Sequence, residues 1–344
     1  TSSKSDTRYF LEQLGVRWYL NFNGDMSQIP DSAQKVPFIS VPTSPEVWNS
    51  GKAEAIESLT DQEIADLGFP TRPQIRNMTL TSPGSYWYIF GEANRYGYMT
   101  GARFAPVFHY FYSQLKIGDF DAKIIGTSLL NWDYTCIGCG GFYNCEGFSL
   151  PGYQCGKAWF KEFVAAYESK YGGKPPVDIW AIDVYPLDWL RTPNSAAHAQ
   201  IAIDQLTGMR QHLNTIPEYK DTPIWITEMA VHVGYDGGKF GPTGNLIPVG
   251  SYNWDKMSDY LVAVLDWLEQ NAASQKIEKW FFFQTWADLV NVGPGGYMGI
   301  IFFDGSGNGA SLNCLGEIYR ARSLEGDRLR CDTSGNTVSG QSSG

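Results

Sequence analysis

The chain has 344 residues, with 36 acidic against 26 basic side chains, a formal net charge of −10 and a pI near 4.9. That balance argues against nucleic acid or an anionic membrane as partner, and no apolar run reaches the ~18 residues that a membrane span needs. Charged residues make up 18% and aromatics 15%; part of that aromatic content must fill a core, and the rest suits a cleft that stacks flat polar ligands such as sugars.

In chain order, Thr1-Ser2-Ser3-Lys4-Ser5 does not read as a signal peptide. A mature chain after processing begins in this way, and so does a cytosolic one. Val16 to Phe22 and Val36 to Val41 read as the first two strands. The interval up to Tyr86 holds a helix around Ala53 to Leu59, then Pro70, Pro73 and Pro83, and no clean strand. Tyr86 to Gly91 is the next strand and closes on Glu92. Phe104, Phe108, Phe111 and Leu115 form a helical stripe, followed by a strand from Ala122 to Leu130. A second stripe, Phe160, Phe163, Val164 and Tyr167, stops at Gly172-Gly173. Strands follow at Val177 to Val184 and Ile224 to Thr227, the latter closing on Glu228. A helix carrying Met257, Tyr260, Leu261, Val264, Leu265 and Leu268 leads to a strand from Lys279 to Gln284 and a hairpin-like Gly299 to Phe303. Alternating strands and helices predict a mainly parallel α/β fold, and the length suits a (β/α)8 TIM barrel whose third strand is poorly defined. The expected organisation is one domain over 1–331 and a Ser/Gly-rich tail or linker over 332–344, leading to a possible appended module.

Six cysteines fall as a cluster, Cys136, Cys139, Cys145 and Cys155, and a distal pair, Cys314 and Cys331. The even count favours disulfides and a secreted protein, while Cys136-x2-Cys139 keeps zinc as the alternative. Trp132, Tyr134, Phe142 and Tyr143 crowd this segment. They are expected either to wall a polysaccharide cleft or to pack inside a stapled loop.

The most informative feature is a pair of glutamates, Glu92 and Glu228, each at the end of an apolar strand. Glycoside hydrolysis needs two carboxyl groups flanking the scissile bond, one protonated and one ionised, and neither cofactor nor metal. Strand ends far apart in sequence can meet at one rim of a barrel. His232, four residues after Glu228, is a candidate substrate contact, because its strand-to-loop setting does not make the helical face of a metal site.

Around these acids the sequence resembles clan A glycoside hydrolases, which are retaining (β/α)8-barrel glycosidases. Trp87-Tyr88-Ile89-Phe90-Gly91-Glu92-Ala93-Asn94-Arg95 is similar to the acid/base strand of that clan, and Ile224-Trp225-Ile226-Thr227-Glu228 to its nucleophile strand. Phe281-Phe282-Phe283-Gln284-Thr285-Trp286 resembles the last barrel strand, whose tryptophan floors the sugar subsite. The resemblance implies Glu92 on strand four as acid/base, Glu228 on strand seven as nucleophile, and Trp286 beneath the sugar. It also implies Tyr185 as a hydrogen-bond donor to Glu228, and a β-linked polysaccharide or oligosaccharide as partner; the aromatic content, read as lining an extended cleft, suggests endo-action. It departs at Gly91, where the clan has an asparagine that binds the sugar 2-hydroxyl, and at Ala93, where it has proline. Asn94 and Arg95 are the nearest polar substitutes. Gly91 keeps a second reading open, a non-catalytic glycan-binding or surface structural barrel.

Overall fold

The computed structural model describes residues 4–22, 33–137, 140–148, 152–187, 195–231, 238–240, 246–248, 253–285, 300, 302–304, 309–324 and 328–339. A ladder of parallel strands organises them. Trp18–Leu20 pairs with Gln34–Val36, and the same path, interrupted at Pro37, continues as Phe38–Ile39 beside Tyr86–Ile89. Tyr86–Ile89 pairs with Lys123–Ile125. A bridge from Ile125 to Ile179, and the pairing of Leu129–Leu130 with Trp180–Val184, carry the ladder on to Ile224–Met229 and Ile277–Phe282. Beyond it the amides of Ile300 and Phe302 donate to the carbonyls of Phe283 and Thr285, at 2.8 and 3.1 Å.

Parallel neighbours need crossovers, and helices supply them: Gly101–Gly118, Gly156–Tyr171, Ser195–Asn214 and Trp254–Gln275 each fall between consecutive strands. Gly101–Gly118 packs on Gly156–Tyr171, and Ser195–Asn214 on Trp254–Gln275, outside the ladder. Strands covered in this way are largely apolar, and all five residues of Trp180–Val184 are buried. The aromatic content goes largely into this packing. Trp48, Trp87, Trp159, Trp180 and Trp225 are fully buried, and Phe104 stacks or tilts against Trp48, Phe90, Trp159 and Phe163. The result is a mixed α/β fold. No helix among the described residues is long and apolar enough to cross a membrane.

Three expectations change. Phe38–Ile39 lies directly beside Tyr86–Ile89, so no strand is inserted between Val41 and Tyr86. That interval folds instead as short helices, Pro45–Asn49, Asp61–Asp66 and Arg72–Leu80, the last two started by capping boxes at Thr60 and Thr71. Glu92 therefore follows the third parallel path and Glu228 the sixth, not the fourth and seventh. The helix expected over Ala53 to Leu59 is reduced to a 3-10 turn, Ile56–Ser58. The boundary at 331 falls inside an antiparallel hairpin, because Thr337–Ser339 pairs with Leu329–Cys331. Cys331 is bonded to Cys314 at the start of the Cys314–Leu324 helix, which ties the hairpin to the domain.

Candidate active site

Glu92 and Glu228 meet. One carboxylate oxygen from each, together with one from Asp183, lies within 4.8 Å of the other two. The strands that carry the two glutamates are not neighbours, since the Lys123–Leu130 and Trp180–Val184 segments lie between them. Their approach is a product of the ladder's curvature.

Local backbone aims each group. After Ile89 the chain turns sharply, with Phe90 and Glu92 both left-handed at φ 55° and 54°. Such conformations cost about 1–3 kcal/mol each for ordinary residues and persist where surroundings enforce them. Here the Glu92 amide donates to both the carbonyl and the Oγ of Ser128, each at 3.1 Å. Glu228 sits where the register slips: Ile226 pairs with Ile182, but Glu228 with Asp183. An extra residue at that point re-aims the side chain.

Beneath the glutamates runs a buried chain of polar groups. The Tyr88 hydroxyl donates to Ser128 Oγ at 2.6 Å, and Ser128 Oγ donates to Asp183 Oδ2 at 2.5 Å. Thr227 Oγ1 donates to Asp183 Oδ1 at 2.5 Å. Tyr88, Ser128 and Asp183 are completely buried, and Thr227 is 1% exposed. This chain accounts for Gly91. A Cβ there would stand 2.9 Å from the Tyr88 Oη and 3.4 Å from Ser128 Oγ, so the space that an asparagine would need is occupied.

Charge in this pocket is expensive. Carboxylate oxygens within 4.8 Å of one another repel by ~3 kcal/mol or more at an effective dielectric of ~20 when both groups are ionised. Burial, followed by the fields of Glu228 and Glu92, holds the Asp183 carboxyl well above the usual range, against the pull of its two hydroxyl donors. Glu228 is raised by burial and then by Glu92; the Tyr185 hydroxyl and Arg95 oppose the shift. Burial also raises Glu92, partly offset by Arg95, whose Nη1 lies 3.1 Å from Glu92 Oε2. The Arg95 side chain is 59% exposed, so solvent screens this pair and it does not neutralise the site. At neutral pH the three acids together retain protons, and one can serve as a proton donor while another stays ionised.

The other sequence candidates separate. The Tyr185 hydroxyl donates to Glu228 Oε2, as the resemblance implied. Asn94 is fully buried and braces the loop: its Nδ2 donates to the carbonyls of Leu130 and Gln154, and its Oδ1 accepts from the Leu130 amide. It offers nothing to a sugar. Trp132 is 3% exposed and packs on Phe160 and His212, so the structure puts it in the core and not on a cleft wall. Tyr134 is buried beside it, while Tyr143 is exposed and donates to Asp204. Trp286 and His232 lie outside the described residues, as does Cys139. Cys145 is bonded to Cys155, and Cys136 is disulfide-bonded as well, which removes these thiols as zinc ligands. Asp183 was missed. Its signal was an acid inside the otherwise apolar Trp180-Ala181-Ile182-Asp183-Val184, where a buried charge demands partners.

A family model described as "Glycosyl hydrolase catalytic core" matches residues 143–319, just over half of the chain. No curated protein sequence matches. Among solved structures, the chain is similar to a GH128 (subgroup I) endo-β-1,3-glucanase from Amycolatopsis mediterranei in complex with laminaripentaose, at 16% identity over 93% of this chain and 96% of that one, with a TM-score of 0.50. A second structure of that enzyme gives 18% identity over 92% and 95%, also at 0.50. A GH128 (subgroup II) endo-β-1,3-glucanase from Sorangium cellulosum gives 18% identity over 93% and 94%, at 0.49.

Proposed function

The chain belongs to the glycosyl hydrolase catalytic core family, and we propose that it is a retaining, endo-acting glycosidase of a β-linked glucan, built on a (β/α)8 barrel. The carrying observation is the approach of Glu92 and Glu228 to within 4.8 Å at the ends of non-adjacent parallel strands. Retaining enzymes hold their carboxyl groups ~5–5.5 Å apart, whereas inverting ones need ~6.5–9.5 Å to admit a water. The barrel reading is supported by the parallel strands from Tyr86 to Phe282, each pair of neighbours separated by a helix, and by the likeness to the two glucanase structures at TM-score 0.50. Those enzymes are endo-β-1,3-glucanases, so β-1,3-glucan is the first substrate to offer. The disulfides support a secreted protein.

The chemistry follows from which carboxyl oxygens are engaged among the described residues. Tyr185 engages Glu228 Oε2, leaving Oε1 to attack. In the first half-reaction Glu228 Oε1 bonds to the anomeric carbon while the bond to the leaving oxygen breaks, and Glu92 passes its proton to that oxygen. Arg95 engages Glu92 Oε2, so the proton travels from Oε1. In the second half, Glu92 takes a proton from water, whose oxygen attacks the anomeric carbon and expels Glu228. One water is consumed and the anomeric configuration is kept.

The test is a panel of β-1,3-glucan, mixed-linkage β-glucan, mannan, xylan and galactan, offered to the parent and to Glu228→Gln. Reducing ends released by the parent and lost in the variant support the reading. Equal trace release from both would contradict it.

A further inference from the structure

The proposed reaction uses two carboxyls, yet the site contains three. Asp183 touches no solvent and makes no ion pair among the described residues; its oxygens accept from the hydroxyl of Thr227, on the strand that ends in Glu228, and from that of Ser128, on the segment beside Glu92. Thr227 immediately precedes Glu228. Ser128 receives the Glu92 amide, whose left-handed turn it helps to fix. Burying an acid there costs stability, and an apolar residue would fill the strand position without that cost. A core requirement therefore does not explain the carboxyl, whereas a role at the site does.

We propose that Asp183 is a positioning residue for hydrolysis, clamping the backbones of Glu92 and Glu228 through Ser128 and Thr227 and adding a third ionisable group to the pair. The proposal rests on the assignment of Glu92 and Glu228 as the reacting carboxyls. Two consequences separate it from a structural role. Ser128 Oγ accepts from both the Tyr88 hydroxyl and the Glu92 amide, so its own proton is directed at Asp183. The orientation of Glu92 is thus tied to the acceptor at position 183. Asp183 also stands within 4.8 Å of both glutamates, whose charges, after burial, hold the proton on its carboxyl. The groups facing it are Glu92 and Glu228, the hydroxyls of Ser128, Thr227 and Tyr88, and Tyr185 from its own strand; Arg95 is the nearby cation, on the Glu92 side. The pH profile then belongs to three coupled groups and not to two.

The experiment compares the parent with Asp183→Asn, an isostere that keeps an acceptor oxygen and loses the charge, on whichever glucan the parent cleaves. The expected result is a fall in kcat/KM of about tenfold or more at the optimum. The fall should lie in kcat and leave KM within about twofold, because Asp183 orients the reacting carboxyls and touches no sugar. A folded Asp183→Asn with kcat within twofold of the parent, or with its loss confined to KM, overturns the proposal. If that variant does not fold, Ser128→Ala and Thr227→Val each remove one donor and leave the carboxyl. A reduced kcat with KM within about twofold in either supports the clamp, and parental kcat in both overturns it. A parent that cleaves no glycan rejects the functional reading itself, whereas an active parent matched by Asp183→Asn rejects this inference alone.

Discussion

Gly91→Ala adds a single methyl group next to the acid/base candidate, and the structure says what it meets. The new carbon would lie 2.9 Å from the Tyr88 Oη, closer than side-chain carbons are found to such atoms, and 3.4 Å from Ser128 Oγ. Tyr88 is fully buried and its hydroxyl is bonded to Ser128 at 2.6 Å, so it cannot swing away without breaking that bond. Overpacking of this kind costs about 1–3 kcal/mol and a lost internal hydrogen bond about 1 more, for a total of about 2–4 kcal/mol. Thermal melting should fall by about 3–6 °C, and kcat/KM should fall with it because Glu92 is the next residue. Tyr88→Phe removes the obstructing oxygen and by itself costs about 1 kcal/mol. The double variant should therefore lose less than the sum of the two, by about 1 kcal/mol or more. Strict additivity, or a Gly91→Ala protein as stable and active as the parent, would refute the steric account of this position.

Three further outcomes are expected. Glu92→Gln should lower kcat on polysaccharide by about 10²–10⁴-fold, with a much smaller loss on an aryl glycoside whose leaving group needs no proton; equal losses on both would remove Glu92 from the acid role. Tyr185→Phe takes from Glu228 a donor that favours its ionised form. The folded-state proton affinity of Glu228 then rises, so the acid limb of kcat/KM should move to higher pH; a fixed limb would separate Tyr185 from the nucleophile. Finally, the raised carboxyls of Glu92, Asp183 and Glu228 favour the native state while protonated. Their contribution is complete below the unfolded value of about 4 and is lost as pH rises through the folded values. Glu228→Gln should therefore melt at a higher temperature than the parent at pH 8 and show little difference near pH 4. The opposite ordering at pH 8 would contradict the burial argument.

Much of this site could be read from residues in order, and its limits have physical causes. Apolar runs ending in Glu92 and Glu228 announced two strand ends, because a carboxylate inside a two-sided parallel sheet needs buried partners that a strand end does not. Which path each strand takes could not be read, since the pairing of Phe38–Ile39 with Tyr86–Ile89 skips 46 intervening residues that look long enough to hold a strand. Gly91 looked like a defect when read against its neighbours alone. The atoms that fill its space come from Tyr88, on the opposite side of the turn, and from Ser128, on the next strand. Asp183 was passed over because its strand was read for its apolar character and for Tyr185 at its end. Asn94 and Trp132 attracted attention as sugar-binding types, but hydrogen bonding of the loop claims the first and helix packing the second. The Ser/Gly-rich composition after Cys331 suggested a tail; in fact Asp332 Oδ1 caps a turn by accepting from the amides of Ser334 and Asn336, and the disulfide supplies the anchor that composition does not.

The central claim is that Glu228 forms a covalent bond to the sugar. Incubation with a 2-deoxy-2-fluoro β-glucosyl oligosaccharide bearing a good leaving group, followed by proteolysis and mass spectrometry, reads that bond directly. The account predicts one glycosyl adduct on the peptide containing Pro223 to Met229, located at Glu228 and absent from Glu228→Gln. A stable adduct on Glu92 or Asp183, or turnover of the parent's natural substrate with the α-anomer as first product, would contradict it.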